Sequence, residues 1–207
     1  MTAPRWNRLD YDERRAQILA AARKLFSKRR YSSVSMKDIA DEAGVARGLL
    51  HHYFGSKHDL YLEVTRDMLR LPTLPVPEGT TDENLWSRSV DKWLDMIEAN
   101  RESWLAAMRA GETGDDPDMR EVLHEASELV VESVLEALGI EEASPEVRAV
   151  VRSYGGLAQE ATREWLERGR LTREQVRVLL GGTMPLIANE LLPAIRRAGK
   201  KRSRRSA

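Results

Sequence analysis

The side chains best suited to chemistry in this sequence lie in one short segment, and they suit hydrogen bonding to a nucleic acid. Those that we expect to face the bases are Ala46, Arg47, Gly48, Leu49, His51 and His52. An arginine near the start of a helix can bond guanine O6 and N7 together, which makes Arg47 the strongest candidate for reading sequence; the alternative is a phosphate contact. Gly48 would let the helix backbone approach a duplex closely, and the two histidines offer ring nitrogens to base edges or phosphates.

Two short helices joined by a tight turn must position this segment. Ser35 is a good N-cap with Asp38 three residues later, so a helix is predicted from there to Ala43. Gly44 ends it, because a steep turn between helices favours a positive φ, which glycine adopts without steric cost. A second helix then runs to Phe54. This pattern is a helix-turn-helix, in which the second helix enters the DNA groove.

An earlier helix is predicted to support this pair from about Asp10 onward. Its apolar side chains recur at three- and four-residue spacing: Ile18, Ala21, Ala22, Leu25 and Phe26. Such a face packs on the two helices of the motif. Residues 1–56 are therefore predicted to form a three-helix DNA-binding domain.

The segment from Ile39 to Leu60 resembles the amino-terminal signature of tetracycline-repressor (TetR) type regulators. The shared residues are Ile-Ala, Ala-Gly-Val, a small residue, Arg-Gly, a leucine, Tyr-Phe, Ser-Lys and a final leucine. The match covers about a quarter of the chain. Two positions depart from the family's pattern: Leu49 stands where Ser or Thr is usual, and His51 where Tyr is usual.

Four further residues are predicted to anchor the motif on the DNA backbone. The resemblance implies that Tyr53 and Lys57 touch phosphate. Ser35 caps a helix whose amino terminus favours anions, and Lys37 follows it closely. Such contacts fix position without reading sequence.

The rest of the chain reads as all-α, with no internal repeat. A fourth helix is expected from about Lys57 to Leu71, followed by a proline-rich loop at 72–79 and helices at about 82–100, 102–111, 117–138, 145–169 and 173–197. The resemblance implies that residues 57–207 form an effector-binding and dimerisation domain, and that the last two helices of each subunit make a four-helix bundle in a homodimer. The pairs Gly155-Gly156 and Gly181-Gly182 predict close helix approach there, an intramolecular bundle being the alternative. Pro185 predicts a kink.

Charge is segregated along the chain although the total is zero. The net charge is +5 over residues 1–60, −12 over 61–195 and +7 over the basic tail 196–207. Since phosphate neutralisation supplies much of DNA affinity, only the first part is expected to face DNA. The 207 residues contain no cysteine, and neither a signal peptide nor an apolar run of about 20 residues was recognised, so a cytoplasmic protein without a membrane partner is expected.

The resemblance implies an effector domain that encloses a cavity, and tryptophans and methionines in the acidic part are predicted to line it: Met68, Trp86, Trp93, Met96, Trp104 and Met108. Flat indoles and adaptable methionines suit a small apolar ligand, although plain core packing is the alternative. A helical-bundle metal site would need two Glu-x-x-His motifs, and the sequence holds one, at Glu121 and His124. No cofactor and no enzymatic activity are expected.

The sequence therefore predicts a homodimeric, sequence-specific transcriptional regulator, a repressor that binds a palindromic operator and is released by a small effector. The alternatives are a regulator without a small-molecule effector and, more distantly, a helical-bundle metalloenzyme. The operator, the regulated genes, the effector, the sign of regulation and any role of the basic tail do not follow from the sequence.

Overall fold

The computed structural model describes residues 11–69, 83–113 and 116–203, and these are helical throughout except for short connections. The helices are α1 (Tyr11–Phe26), α2 (Met36–Ala43), α3 (Arg47–Phe54), α4 (Lys57–Leu69), α5 (Glu83–Ala99), α6 (Arg101–Thr113), α7 (Pro117–Ala137), α8 (Pro145–Leu166), α9 (Arg173–Leu186) and α10 (Leu192–Ser203). A single 3-10 turn, Tyr31–Ser33, precedes α2. The predicted all-α class is confirmed. The segment 1–10, the loop at 72–79 and the end of the basic tail lie outside the described residues.

The helix-turn-helix is α2 and α3, and its local signals act as predicted. Ser35 Oγ accepts from the Asp38 backbone N–H at 3.1 Å, while Asp38 Oδ2 accepts from the Ser35 backbone N–H at 2.9 Å. These reciprocal bonds form a capping box at the start of α2. Gly44 has φ 64° and ψ 36°, the left-handed conformation that ends α2 and allows α3 to leave at a new angle.

The head and the larger helical part share one apolar core, which passes through α4. Ile18 and Phe26 of α1 and Leu50 of α3 belong to the same buried cluster as Leu60 of α4 and Ile97 of α5. Ion pairs at the surface also join α4 to its neighbours. Arg15 and Arg23 of α1 pair with Glu63 and Asp67 of α4, and Arg66 of α4 pairs with Glu125 of α7. Any movement of α4 is therefore felt by both parts.

The larger part is organised around the pairing of α5 with α9. The two helices approach closely at Gly181, where an added Cβ would lie 3.5 Å from the Ser87 Cα, an ordinary van der Waals contact that would also admit alanine. Gly155, Gly156 and Gly182 have no atom within 4 Å of an added Cβ in the part of the chain described. Close approach is therefore an intramolecular feature at Gly181. At the other three glycines it would require a second chain.

The last predicted helix, 173–197, is divided. Pro185 lies inside α9 and cannot donate a backbone hydrogen bond, and a π turn, Ile187–Leu191, follows directly before α10. The helical stretch Arg173–Ala198, which includes the π turn, is nevertheless long and apolar enough, by length and composition alone, to cross a membrane. The expectation that no apolar stretch approaches that length was wrong in this respect. One side of the stretch packs on α5, and its other side is an exposed apolar stripe.

Candidate DNA-reading helix and effector cavity

The outward face of α3 consists of the residues predicted to read bases. Ala46, Arg47, Gly48, Leu49, His51 and His52 are all exposed. Leu50 and Phe54 point inward and are buried in the core of the head. Since the buried side chains lie on one face of α3, the opposite face is the one available to a duplex.

Two cationic side chains of the helix-turn-helix are exposed and form no ion pair in the part of the chain that the structure describes. Within the described residues, neither Arg47 nor Lys37 forms an ion pair or a side-chain hydrogen bond, and both are exposed. Gly48 is also exposed, with no atom within 4 Å of an added Cβ. The face around the start of α3 is thus open, cationic and free of large side chains, which suits close contact with DNA.

The two adjacent histidines differ in their surroundings. The Nδ1 atom of His51 lies 2.7 Å from the Gly55 carbonyl oxygen. Because a carbonyl oxygen can only accept, Nδ1 carries the proton in this bond and Nε2 remains available. The His52 ring meets the Tyr53 ring edge-on, with the centroids 5.4 Å apart. His51 is therefore held against the end of α3, whereas His52 is held only by a ring contact.

Two of the predicted phosphate anchors are already engaged within the chain. Lys57 Nζ donates to the Tyr31 carbonyl oxygen at 2.6 Å and lies 4.0 Å from the centroid of the Tyr31 ring. Desolvation by partial burial lowers the pKa of Lys57. Tyr53 is half-buried, its ring centroid 4.7 Å from that of Tyr11. Ser35 is exposed and serves the cap of α2.

Gln17, which was not among the predicted site residues, fixes the turn of the motif. Gln17 Nε2 donates to the Ala43 carbonyl oxygen at 2.8 Å, and Arg14 in turn donates to Gln17 at 2.8 Å. The bond ties α1 to the last residue of α2. A polar residue directly beside the buried Ile18 was the available signal, but its partner lies 26 positions away.

Five of the six residues predicted to bind an effector line one cavity: Trp86, Trp93, Met96, Trp104 and Met108. Met68 is buried in the core instead, and its neighbour Leu69 lines the cavity. The opposite wall comes from α7 and α8, including Val130 and Val151, which the sequence analysis did not identify. The cavity holds about 120 Å³.

The described lining of the cavity is mainly apolar. The Trp93 and Trp104 rings meet edge-on with centroids 5.7 Å apart. The Trp104 Nε1–H is buried and has no hydrogen-bond partner among the residues that the structure describes. Arg152 also lines the cavity, but its guanidinium bonds Glu128 at 2.6 Å, so its charge is already compensated.

Outside the cavity, His58, Asp116 and Asp118 form a group that could hold a metal ion. His58 Nε2 lies 3.6 Å from both Asp116 Oδ1 and Asp118 Oδ2, and in the described ranges no other group of this kind is found. Glu121 and His124, the single Glu-x-x-His motif, are not part of it. Asp116 Oδ1 also accepts from the Met119 backbone N–H at 2.9 Å, as the N-cap of α7.

The second helix of the helix-turn-helix is exposed and carries an arginine that forms no ion pair in the described residues. These features define a DNA-binding module. Comparison with known proteins identifies the family. Residues 18–64 match the family model "Bacterial regulatory proteins, tetR family", and residues 82–184 match "Tetracyclin repressor-like, C-terminal domain". The chain belongs to the TetR family. It is a DNA-binding transcriptional regulator.

Individual relatives agree with this assignment. The HTH-type transcriptional activator FasR of Mycolicibacterium smegmatis is 30% identical over 172 residues, which are 80% of this chain and 78% of FasR. The HTH-type transcriptional repressor AcnR of Corynebacterium jeikeium is 32% identical over 77 residues, 37% of this chain and 41% of AcnR. A TetR-family regulator from Streptomyces coelicolor has the same fold, with a TM-score of 0.74, 23% identity, and coverage of 92% of this chain and 89% of that one.

Proposed function

We propose that this protein is a homodimeric repressor that binds a palindromic operator through α3 of each protomer and is released by a small effector. The observation that carries the proposal is the position of α4, which belongs to the core of the head and reaches the effector cavity. Lys57 at its start bonds the turn before α2, and Leu69 at its end lines the cavity.

The coupling follows from this geometry. A ligand that separates the walls of the cavity pushes on Leu69, and α4 transmits the shift because its buried side chains are packed against α1. In a dimer, such a shift changes the distance between the two α3 helices. Coupling free energies of this kind are typically about 1–3 kcal/mol.

An exposed apolar stripe on α9 supports a dimer. Val178 is 60% exposed, Leu179 39% and Leu186 44%, with Gly182 exposed between them. Helical spacing puts Val178, Gly182 and Leu186 on one face, and a second copy of α9 would cover them. The same stripe accounts for the apolar character of Arg173–Ala198 without a membrane.

Repression is proposed as the sign of regulation, although the relatives named above include both an activator and a repressor. A regulator without an effector is the alternative, and the cavity favours the ligand-released form. The protein is proposed to act in the cytoplasm, on operator DNA, without catalysis. Among the described residues, Glu121 and His124 belong to no group that could hold a metal ion, so they give no support to a metalloenzyme.

The test of the DNA-reading surface compares Arg47→Ala with Lys37→Ala. Both remove one exposed cation without an ion pair in the described chain, so Lys37 is a matched control. On a cognate duplex selected from a random pool, Arg47→Ala should lose about 1–3 kcal/mol and relax the preference at one base pair. Lys37→Ala should weaken cognate and scrambled duplexes alike. Equal losses on both duplexes for Arg47→Ala would remove its assignment as a base reader.

A further inference from the structure

A polar groove adjoins the effector cavity between α7 and α8. Its polar lining is Arg120, His124, Gln159, Glu160 and Arg163, and its volume is about 430 Å³. It shares Met108, Leu123 and Gln159 with the cavity, so these three side chains form the partition between the two spaces. Two of them are flexible apolar side chains that can be displaced by a ligand at low cost.

The groove carries an excess of positive charge. Arg120 is exposed and has no ion pair in the portion of the chain described. Arg163 lies 3.4 Å from Glu160, and Glu160 also pairs with Arg168, so the acidic group of the groove is compensated. An anion entering the groove would therefore meet Arg120 as an available partner.

The effector cavity, which is the inner of the two spaces, is apolar and not cationic. Its volume of about 120 Å³ is close to that of the roughly 150 Å³ engineered cavity that binds benzene. Because Arg152 is bonded to Glu128, the described residues of the lining offer no uncompensated cation there. A compact apolar group fits this space, and a charged one would lose hydration without meeting an uncompensated opposite charge among the described lining residues.

We propose that the effector is an organic acid with a compact apolar group. The apolar group occupies the inner cavity, and the carboxylate lies in the groove against Arg120. The inference rests on the proposed effector role of the cavity and names its ligand class. Arg120 is the residue that sets specificity for the acid.

Binding can be measured without DNA, through the tryptophans that line the cavity. The probes are 4-phenylbutyrate and 4-phenylbutan-1-ol, which share the apolar group and differ in charge. The full chain should bind the acid about tenfold more tightly than the alcohol, because hydrogen bonds to charged groups exceed neutral ones. Raising the salt concentration should reduce this difference.

Three variants separate the two subsites. Arg120→Gln should abolish the preference for the acid and leave the affinity for the alcohol unchanged. Ala126→Leu places a larger side chain in the inner cavity and should weaken both compounds. Arg88→Gln removes an exposed arginine of α5 that lines neither space, and it should change neither affinity.

Failure of this inference differs from failure of the proposed function. Equal affinities for acid and alcohol, tighter binding of the alcohol, an acid preference that survives Arg120→Gln, or no binding of either at millimolar concentration would each overturn the inference. Acid binding that depends on Arg120 but leaves DNA affinity unchanged would support the ligand class and contradict the effector role.

Discussion

Two glycines in the helix-turn-helix provide a test in which protein stability and DNA affinity change independently. Gly44 has φ 64°, and an alanine in that left-handed conformation costs about 1–2 kcal/mol. Gly48 lies inside α3, where alanine is more favourable than glycine by up to about 1 kcal/mol. Neither substitution creates a clash within the described residues, because none of their atoms lies within 4 Å of either added Cβ. Gly44→Ala should therefore destabilise the protein and Gly48→Ala should stabilise it.

DNA affinity should change in the opposite sense: Gly48→Ala should bind DNA more weakly than Gly44→Ala. The methyl group of Gly48→Ala lies on the exposed face of α3 and would hold the backbone away from the groove, so affinity should fall about tenfold or more. Gly44→Ala should bind normally at temperatures where it is folded. Urea unfolding at fixed protomer concentration gives the stability, and fluorescence anisotropy at fixed salt gives the affinity. Wild-type affinity for Gly48→Ala, or destabilisation by both substitutions, would refute the reasoning.

Three further predictions concern other parts of the molecule. Val178→Asp should dissociate the dimer in sedimentation experiments, whereas Leu129→Asp, at a position of similar exposure (58%), should not; equal behaviour would contradict the α9 interface. Tyr61→Phe removes a buried hydroxyl without a partner in the described residues, so the free energy of unfolding should be unchanged or rise by up to about 1 kcal/mol, and a clear fall would contradict this. The pKa of Asp38 is lowered chiefly by the Ser35 backbone N–H. Its stabilising effect is present above the ordinary pKa near about 4 and is lost as pH falls through the lower folded value. Asp38→Asn should flatten the acid decline in unfolding experiments, and an unaltered decline would contradict the capping role.

The local features of the fold followed from the sequence because their causes are local. The Ser35–Asp38 capping box and the left-handed Gly44 require only residues a few positions apart, and both were confirmed. Thr172 and Gln175 likewise form a capping box of local residues at the start of α9. Such signals fixed the helix-turn-helix without knowledge of the rest of the chain.

Features that depend on distant partners were not predictable in the same way. The engagement of Lys57 joins positions 26 residues apart and takes up a side chain expected to contact phosphate. The family resemblance, together with the residue types, placed Trp86 and Trp104 at a cavity, but neither could show that Val151 of α8 completes the wall. Pro185 signalled an interruption, but spacing alone could not specify a π turn after it.

Selection of duplexes from a random pool by the purified full chain tests the central claim most directly. Two α3 helices related by a twofold axis should enrich an inverted repeat whose half-sites are separated by about one helical turn of DNA, or a multiple of it. The Arg47→Ala variant should lose enrichment at the same base pair of each half-site. A pool that remains unenriched, or a site without inverted symmetry, would contradict a dimeric regulator that reads its operator through α3.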